Sequence, residues 1–74
     1  MNVEIDVDIT VDGTQFVAVG AVDGDEIAER TFTATQGGFL LLDRWITRNF
    51  PRGTRLSIGA PAQALLDSWG VDFS

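Results

Sequence analysis

The sequence predicts a small α+β domain in which a three-stranded antiparallel meander is followed by a helix, a strand and a second helix. Three observations support this βββαβα order and a sheet order of 3-2-1-4. The first strand alternates apolar and polar residues, two Asp-Gly pairs mark tight turns, and two later segments have helical periodicity. With 74 residues the chain has room for one domain with a small core, which we assign to residues 1–74.

The first strand lies in VEIDVDITVDG, residues 3–13, where apolar and polar residues alternate. Successive side chains of a strand point to opposite faces, so each class of residue has a face of its own. The apolar face carries Val3, Ile5, Val7, Ile9 and Val11, and the polar face carries Glu4, Asp6, Asp8 and Thr10. Asp12 and Gly13 follow as the pair favoured by a two-residue type I′ turn, because both central residues of that turn have positive φ.

The second strand, TQFVAVGAV at residues 14–22, carries no charge and leads into the second Asp-Gly pair. The third strand follows in EIAERTFTA, residues 26–34, and its register has two solutions. A two-residue loop places Arg30 on the side of the first-strand acids, whereas a three-residue loop places it on the opposite side. In either register an uncharged strand separates two more polar strands.

The second half of the chain begins with an amphipathic helix that covers the valine and isoleucine face of the sheet. Thr35 is its predicted N-cap and Asn49 its last residue, since Pro51 cannot continue the hydrogen-bond ladder. The side of this helix that faces the sheet carries Phe39, Leu42, Trp45, Ile46 and Asn49, and Asp43, Arg44, Thr47 and Arg48 lie largely opposite.

The fourth strand is TRLSIG, residues 54–59, and the second helix is PAQALLDSW, residues 61–69, with Gly70 as its stop. A strand, helix and strand in series favour a right-handed crossover, which places the fourth strand parallel to the first. Two arrangements of the second helix are open. It leaves the acid-bearing face of the sheet exposed, or its leucines and Trp69 cover part of that face.

Composition and charge exclude several classes of function. The chain has neither cysteine nor histidine, which excludes disulfides, thiolate nucleophiles and ordinary zinc sites, and no cofactor is predicted. Its net charge of −6 repels nucleic acid and anionic membranes, so the predicted partner is a basic protein. The longest apolar run, FLLL at residues 39–42, is far shorter than the ~20 residues that span a bilayer, and no signal-peptide pattern is present. We therefore expect a cytoplasmic location.

An acid in the first strand of a meander that continues into helix, strand and helix resembles the start of the RNase H-like superfamily. The stretch IDVDITVDGTQFVAVGAVDGDEIAERTFTATQGGFLLLDRWI, residues 5–46, is similar to the opening of RuvC-type transposase domains and, more distantly, of actin-like ATPases. The resemblance implies a magnesium ligand at Asp6 or Asp8. It also implies a second acid at or just after the fourth strand, where SIGAPAQ, residues 57–63, has no carboxylate. It thus implies an abbreviated RNase H-like fold without catalysis, because two-metal cleavage needs several converging carboxylates.

The acids of the first strand have three interpretations. Asp6 and Asp8 are about 6.8 Å apart on a strand, which lets both lean toward one hard cation. The row is also tolerated as a solvated surface, since like charges at this distance in water repel by only ~0.6 kcal/mol. In the third interpretation the hairpin register sets Asp8 opposite Val17 and Asp6 opposite Val19, so that acids flank an apolar stripe as they do at protein interfaces. Such a surface also imitates nucleic acid in part.

We predict a non-enzymatic, acidic protein-interaction module, comparable in size and charge to a small phage-type inhibitor that binds a basic nucleic-acid-handling protein. Two alternatives are a metal-dependent nuclease or transposase-like fragment that uses Asp6 and Asp8, and a self-associating module that forms a homodimer. In the homodimer the acids contact the basic cluster of Arg44, Arg48, Arg52 and Arg55, or the contact lies on the stripe of Val17 and Val19 if the second helix leaves it open. No catalytic or metal-binding residue is assigned, and no direct contact with nucleic acid or membrane is expected. The predicted interaction residues are Glu4, Asp6, Asp8, Val17, Val19, Asp23, Asp25 and Glu26.

Overall fold

The computed structural model describes residues 2–71, which form four strands and two helices in the predicted order. The elements are β1 (Val3–Ile9), β2 (Gln15–Val22), β3 (Asp25–Thr33), α1 (Gln36–Asn49), β4 (Arg55–Ile58) and α2 (Ala60–Ser68). The sheet has the order β3-β2-β1-β4, with β1 antiparallel to β2 and parallel to β4. The α+β class, the βββαβα order and the sheet order are therefore confirmed.

The first hairpin has the predicted register but a wider loop than predicted. Asp8 pairs with Val17, yet β1 ends at Ile9 and Val11 is fully exposed at the loop instead of facing the core. The loop closes by a hydrogen bond of 2.8 Å from the Gly13 N–H to the Thr10 carbonyl. Of the Asp-Gly pair only the glycine has a positive φ, of 73°, so this is not the type I′ turn that the sequence predicts.

The second hairpin has a two-residue turn, one of the two loop lengths that the sequence leaves open, but an irregularity after it reverses the side on which that loop would place Arg30. Asp23 and Gly24 have φ of 52° and 86°, as a type I′ turn requires. The register then shifts by one residue opposite Gly20 and Ala21, which leaves Ile27 as the extra residue of a β-bulge. As a result Arg30 pairs with Ala18 and lies on the helix side of the sheet, away from the first-strand acids.

Burial of Phe32 is the physical reason for this bulge. If the ladder continued from the turn without the extra residue, Phe32 would pair with Gln15 and point away from the helices. In the structure it pairs with Phe16 and is only 9% exposed. Burying a phenylalanine side chain is worth about 1.5–3 kcal/mol, and β-bulges are common at the edge of a sheet, where β3 lies.

Both helices pack on the same face of the sheet, and this settles the open question about α2. The buried cluster joins β1 to both helices: Ile5 and Val7 pack with Leu42 of α1 and with Ala62 and Leu66 of α2. The arrangement in which α2 covers Val17 and Val19 is therefore wrong. The opposite face of β1 carries carboxylates, and an apolar helix stripe would have to bury them without partners there.

The helix ends follow the sequence prediction closely. The Thr35 hydroxyl accepts a hydrogen bond of 3.0 Å from the Gly38 N–H, which makes Thr35 the N-cap of α1. At the end of α2, Gly70 has a φ of 69° and the Val71 N–H donates to the Leu66 carbonyl at 3.1 Å. This is a Schellman motif, and it brings Val71 onto the core.

Aromatic side chains fill the space between α1 and the strands β2 and β3. The Trp45 ring lies 6.0 Å from the Phe32 ring and 5.2 Å from the Phe50 ring, measured between centroids. Gly20 on β2 makes room for this group, since a Cβ atom there would lie 2.6 Å from the Phe50 ring. A short helix of 14 residues is thereby anchored firmly against β2 and β3.

Candidate protein-interaction surface

The face of the sheet that carries no helix is the candidate site, and we refer to it as the open face. Alternation along each strand decides which side chains it presents, because residues that pair across strands lie on the same face. The open face carries Glu4, Asp6 and Asp8 from β1, Val17, Val19 and Ala21 from β2, Glu26, Glu29 and Thr31 from β3, and Arg55 and Ser57 from β4.

Acids border an apolar stripe on both of its long sides. The stripe consists of Val17, Val19 and Ala21 on β2, and all three side chains are half-buried. In its middle row Val19 pairs with Asp6 on one side and with Glu29 on the other. An apolar centre with a charged rim is the layout of protein interfaces.

Glu29 belongs to this surface although sequence reasoning did not include it. Glu26 and Glu29 are three residues apart, so a regular strand would direct them to opposite faces. The bulge at Ile27 brings both to the open face. The sequence does hold a signal for this, because Phe32 is the one aromatic residue of β3 and its burial sets the register of Glu29.

The structure brings together most, but not all, of the predicted interaction residues. Asp23 lies in the turn beyond the face, where its carboxylate accepts a hydrogen bond of 2.8 Å from the Asn2 N–H and so holds the start of the chain. Asp25 pairs with Val22 and is therefore directed to the helix side of the sheet. The predicted residues that share the open face are Glu4, Asp6, Asp8, Val17, Val19 and Glu26.

The charge on the open face is strongly negative. Five carboxylates lie on it together with one guanidinium, that of Arg55, which is adjacent to Glu4 through the pairing of β1 with β4. Glu4, Arg55 and Asp23 line a depression of about 520 Å³. The side chains of Asp6, Asp8 and Glu29 are exposed, so their charges act on the solvent side with little burial.

The carboxylates of Asp6 and Asp8 lie apart and do not converge on a common point. On β4 the neighbour of Asp6 is Ser57, which has no carboxylate. The neighbour of Asp8 is Gly59, just after β4, and a Cβ atom on this glycine would collide with the Asp8 carboxylate. Within residues 2–71 no three acidic side chains lie close enough together to hold a metal ion. The row is suited to binding charges distributed over an area.

Asp12 lies beyond the face and has a local role in the first hairpin loop. Its carboxylate accepts hydrogen bonds from the Thr10 hydroxyl at 2.6 Å and from the Thr14 hydroxyl and N–H at 2.8 and 3.1 Å. These bonds, those of Thr10 first, hold the pKa of Asp12 below its ordinary value of 3.8. The loop is thus closed by an ionised side chain.

Comparison with known proteins gives no match to a family model, to a curated protein or to a solved structure. In the part of the chain that the structure describes, neither helix has the length and apolar character needed to cross a membrane. The function of the open face must accordingly be inferred from its own chemistry.

Proposed function

We propose that the protein is a non-enzymatic interaction module that binds a basic protein through the open face. The observation that carries this proposal is the placement of acids on both sides of the half-buried stripe of Val17, Val19 and Ala21, on a face without a covering helix. The stripe supplies apolar area that a partner can bury, and the acids favour a partner whose surface is positively charged.

The geometry narrows the shape of the partner. The acids of β1 and those of β3 are separated by two strand spacings, or about 10 Å. This separation matches the diameter of one α-helix, about 10 Å with its side chains. A partner helix with an apolar ridge and arginine or lysine side chains on both flanks would fill the stripe and pair with both acidic borders.

Proteins that handle nucleic acids are the partner class that this chemistry favours, since they carry clustered arginine and lysine for phosphate contacts. The protein would then act as a cytoplasmic inhibitor that occupies such a surface, in the manner of a small phage-type inhibitor. Homodimerisation through the open face is disfavoured because it would set five carboxylates of one copy against five of the other. The RNase H-like resemblance stays a prediction, and this proposal does not rest on it.

The test uses a defined basic probe and two variants of equal net charge. The probe is a synthetic amphipathic helical peptide with an apolar ridge flanked by arginines. The open-face variant is Glu4→Gln, Asp6→Asn, Asp8→Asn, and the matched control is Asp25→Asn, Asp43→Asn, Asp67→Asn, whose acids lie outside the open face.

We expect the open-face variant to associate with the probe at least about tenfold more slowly at low salt and to lose much of the salt dependence of binding. The control variant should retain both. NMR chemical-shift changes on titration should centre on Val17 and Val19. Equal weakening in the two variants would show that only net charge matters, and unchanged binding in the open-face variant would refute the proposal.

A further inference from the structure

A second surface, of opposite polarity, lies on the helix side of the sheet between β3 and α1. It is a groove of about 490 Å³. Three of the five arginines of the chain line it, and none of the residues that line it is acidic. The arginines are Arg30 from the strand and Arg44 and Arg48 from the helix. In a protein with a net charge of −6, this is a marked local concentration of positive charge.

Apolar side chains line the groove beside the guanidinium groups. Phe32 and Trp45 are two of them, with ring centroids 6.0 Å apart, and the guanidinium carbon of Arg30 lies 5.9 Å from the centre of the Phe32 ring. Leu41 lines the groove as well and is 57% exposed. A ligand in this groove therefore meets both cationic groups and apolar surface that is accessible to it.

The groove also reaches the free edge of the sheet. In the sheet formed by residues 2–71, β3 is an outer strand with β2 as its only neighbour. Thr31 and Thr33 line the groove, although their partners Val17 and Gln15 place their side chains on the open face. The strand itself thus borders the groove, and the outer edge of a strand offers unpaired N–H and C=O groups to a further strand.

We propose that this groove binds an extended acidic peptide of a partner protein, which adds to the edge of β3 and directs alternate carboxylates to Arg30, Arg44 and Arg48. Side chains of an added strand alternate, so every second residue faces the groove. Carboxylates form charge-assisted, often bidentate hydrogen bonds with arginine. The inference is independent of the function proposed for the open face, because the charged side chains of the two surfaces lie on opposite sides of the sheet.

Charge and the free strand edge together distinguish this ligand from two other occupants. Pairing of β3 with β3 of a second copy would bring the arginines of two α1 helices toward each other, which like-charge repulsion disfavours. A nucleic acid would also meet the three arginines, but its phosphates make no use of a strand edge. An acidic peptide strand satisfies both the guanidinium groups and the edge.

The probe for the test is a synthetic octapeptide that alternates threonine and glutamate, titrated into the intact protein by NMR. We expect saturable binding, with chemical-shift changes at residues 30–33 and 41–49 and at the Trp45 indole. Three comparison ligands define the mode: the same peptide with lysine for glutamate, the peptide methylated at alternate backbone nitrogens, and an oligothymidylate of equal length. None of the three should bind comparably.

Two double variants of equal charge test the arginines. Arg44→Gln with Arg48→Gln should lower the affinity for the octapeptide by about tenfold for each charge-assisted contact that is lost. Arg52→Gln with Arg55→Gln, which alters arginines outside the groove, should leave the affinity within about twofold of wild type. All four side chains are exposed, so both variants should keep the folded NMR spectrum.

Four results would overturn the inference. They are no saturable binding at millimolar octapeptide, equal weakening by the two double variants, equal affinity of the backbone-methylated peptide, and tighter binding of the oligothymidylate than of the octapeptide. The last result would identify the groove as a nucleic-acid site. Binding of the octapeptide to the variant Glu4→Gln, Asp6→Asn, Asp8→Asn should match that to wild type, which separates this test from that of the open face.

Discussion

At the scale of the residue, the structural role of Asp12 follows from its own hydrogen bonds. One carboxylate accepts three hydrogen bonds from Thr10 and Thr14 and closes the first hairpin loop. A carboxyl group whose pKa is lowered by folding stabilises the fold above its ordinary value, here 3.8, and this contribution is lost as the pH falls through the lower folded-state pKa.

The variant Asp12→Asn should therefore flatten the pH dependence of stability below about pH 4, because it keeps a hydrogen-bond acceptor but does not titrate. Asp12→Ala should lower stability at neutral pH as well, since it removes the acceptor. Urea denaturation at a series of pH values measures both effects. A wild-type pH dependence in Asp12→Asn would show that the loop bonds do not depend on ionisation of this residue.

At the scale of elements, the contact between the start of α1 and the end of β3 requires a glycine at one position only. A Cβ atom on Gly38 would collide with the Thr33 carbonyl oxygen, whereas a Cβ atom on Gly37 would be 3.9 Å from the nearest neighbour, the Thr35 hydroxyl. The two adjacent glycines thus differ in their surroundings while sharing the first turn of one helix.

We expect opposite effects from the same substitution at these two positions. Gly37→Ala should raise the free energy of unfolding by up to about 1 kcal/mol, the difference in helix propensity. Gly38→Ala should lower it by about 1–3 kcal/mol, because the helix must shift away from β3. Denaturant unfolding of the two variants and the wild type gives the comparison. Similar values for the two variants would contradict the close approach of α1 to β3.

At the scale of the whole molecule, the sheet separates two surfaces of opposite charge. The open face carries five carboxylates and one arginine, and the groove on the other side carries three arginines. No charged side chain in residues 2–71 is buried, so these charges are placed at the surface without contributing to the core. Stability and recognition therefore draw on largely separate sets of residues.

This separation predicts the stability of the variant Glu4→Gln, Asp6→Asn, Asp8→Asn. Its free energy of unfolding should equal that of wild type or exceed it slightly at low salt, because neighbouring like charges repel by ~0.6 kcal/mol in water and the variant removes that repulsion. The gain should vanish at high salt. Urea denaturation at two salt concentrations checks this, and unfolding of the variant would instead mean that the acids form a structural network.

Much of the architecture could be predicted from the sequence because its determinants are local. Alternation in residues 3–9 identifies β1 and its two faces, the Asp-Gly pairs locate both hairpins, and Thr35 and Gly70 mark helix ends through their own hydrogen bonds and backbone angles. The acids of β1 and the valines of β2 could be placed side by side for the same reason, since a short hairpin determines its register.

Only the tertiary structure decided which faces meet. Burial of Phe32 against Phe16 selects a bulged register for β3, and this single shift moves Arg30 into the groove and Glu29 onto the open face. Packing of Leu66 with Ile5 and Val7 places α2 beside α1 and leaves the valine stripe uncovered. Local patterns alone do not determine these outcomes, because they depend on which apolar surfaces, distant in sequence, pack against one another. The favoured packing is the one that leaves the carboxylates in contact with solvent.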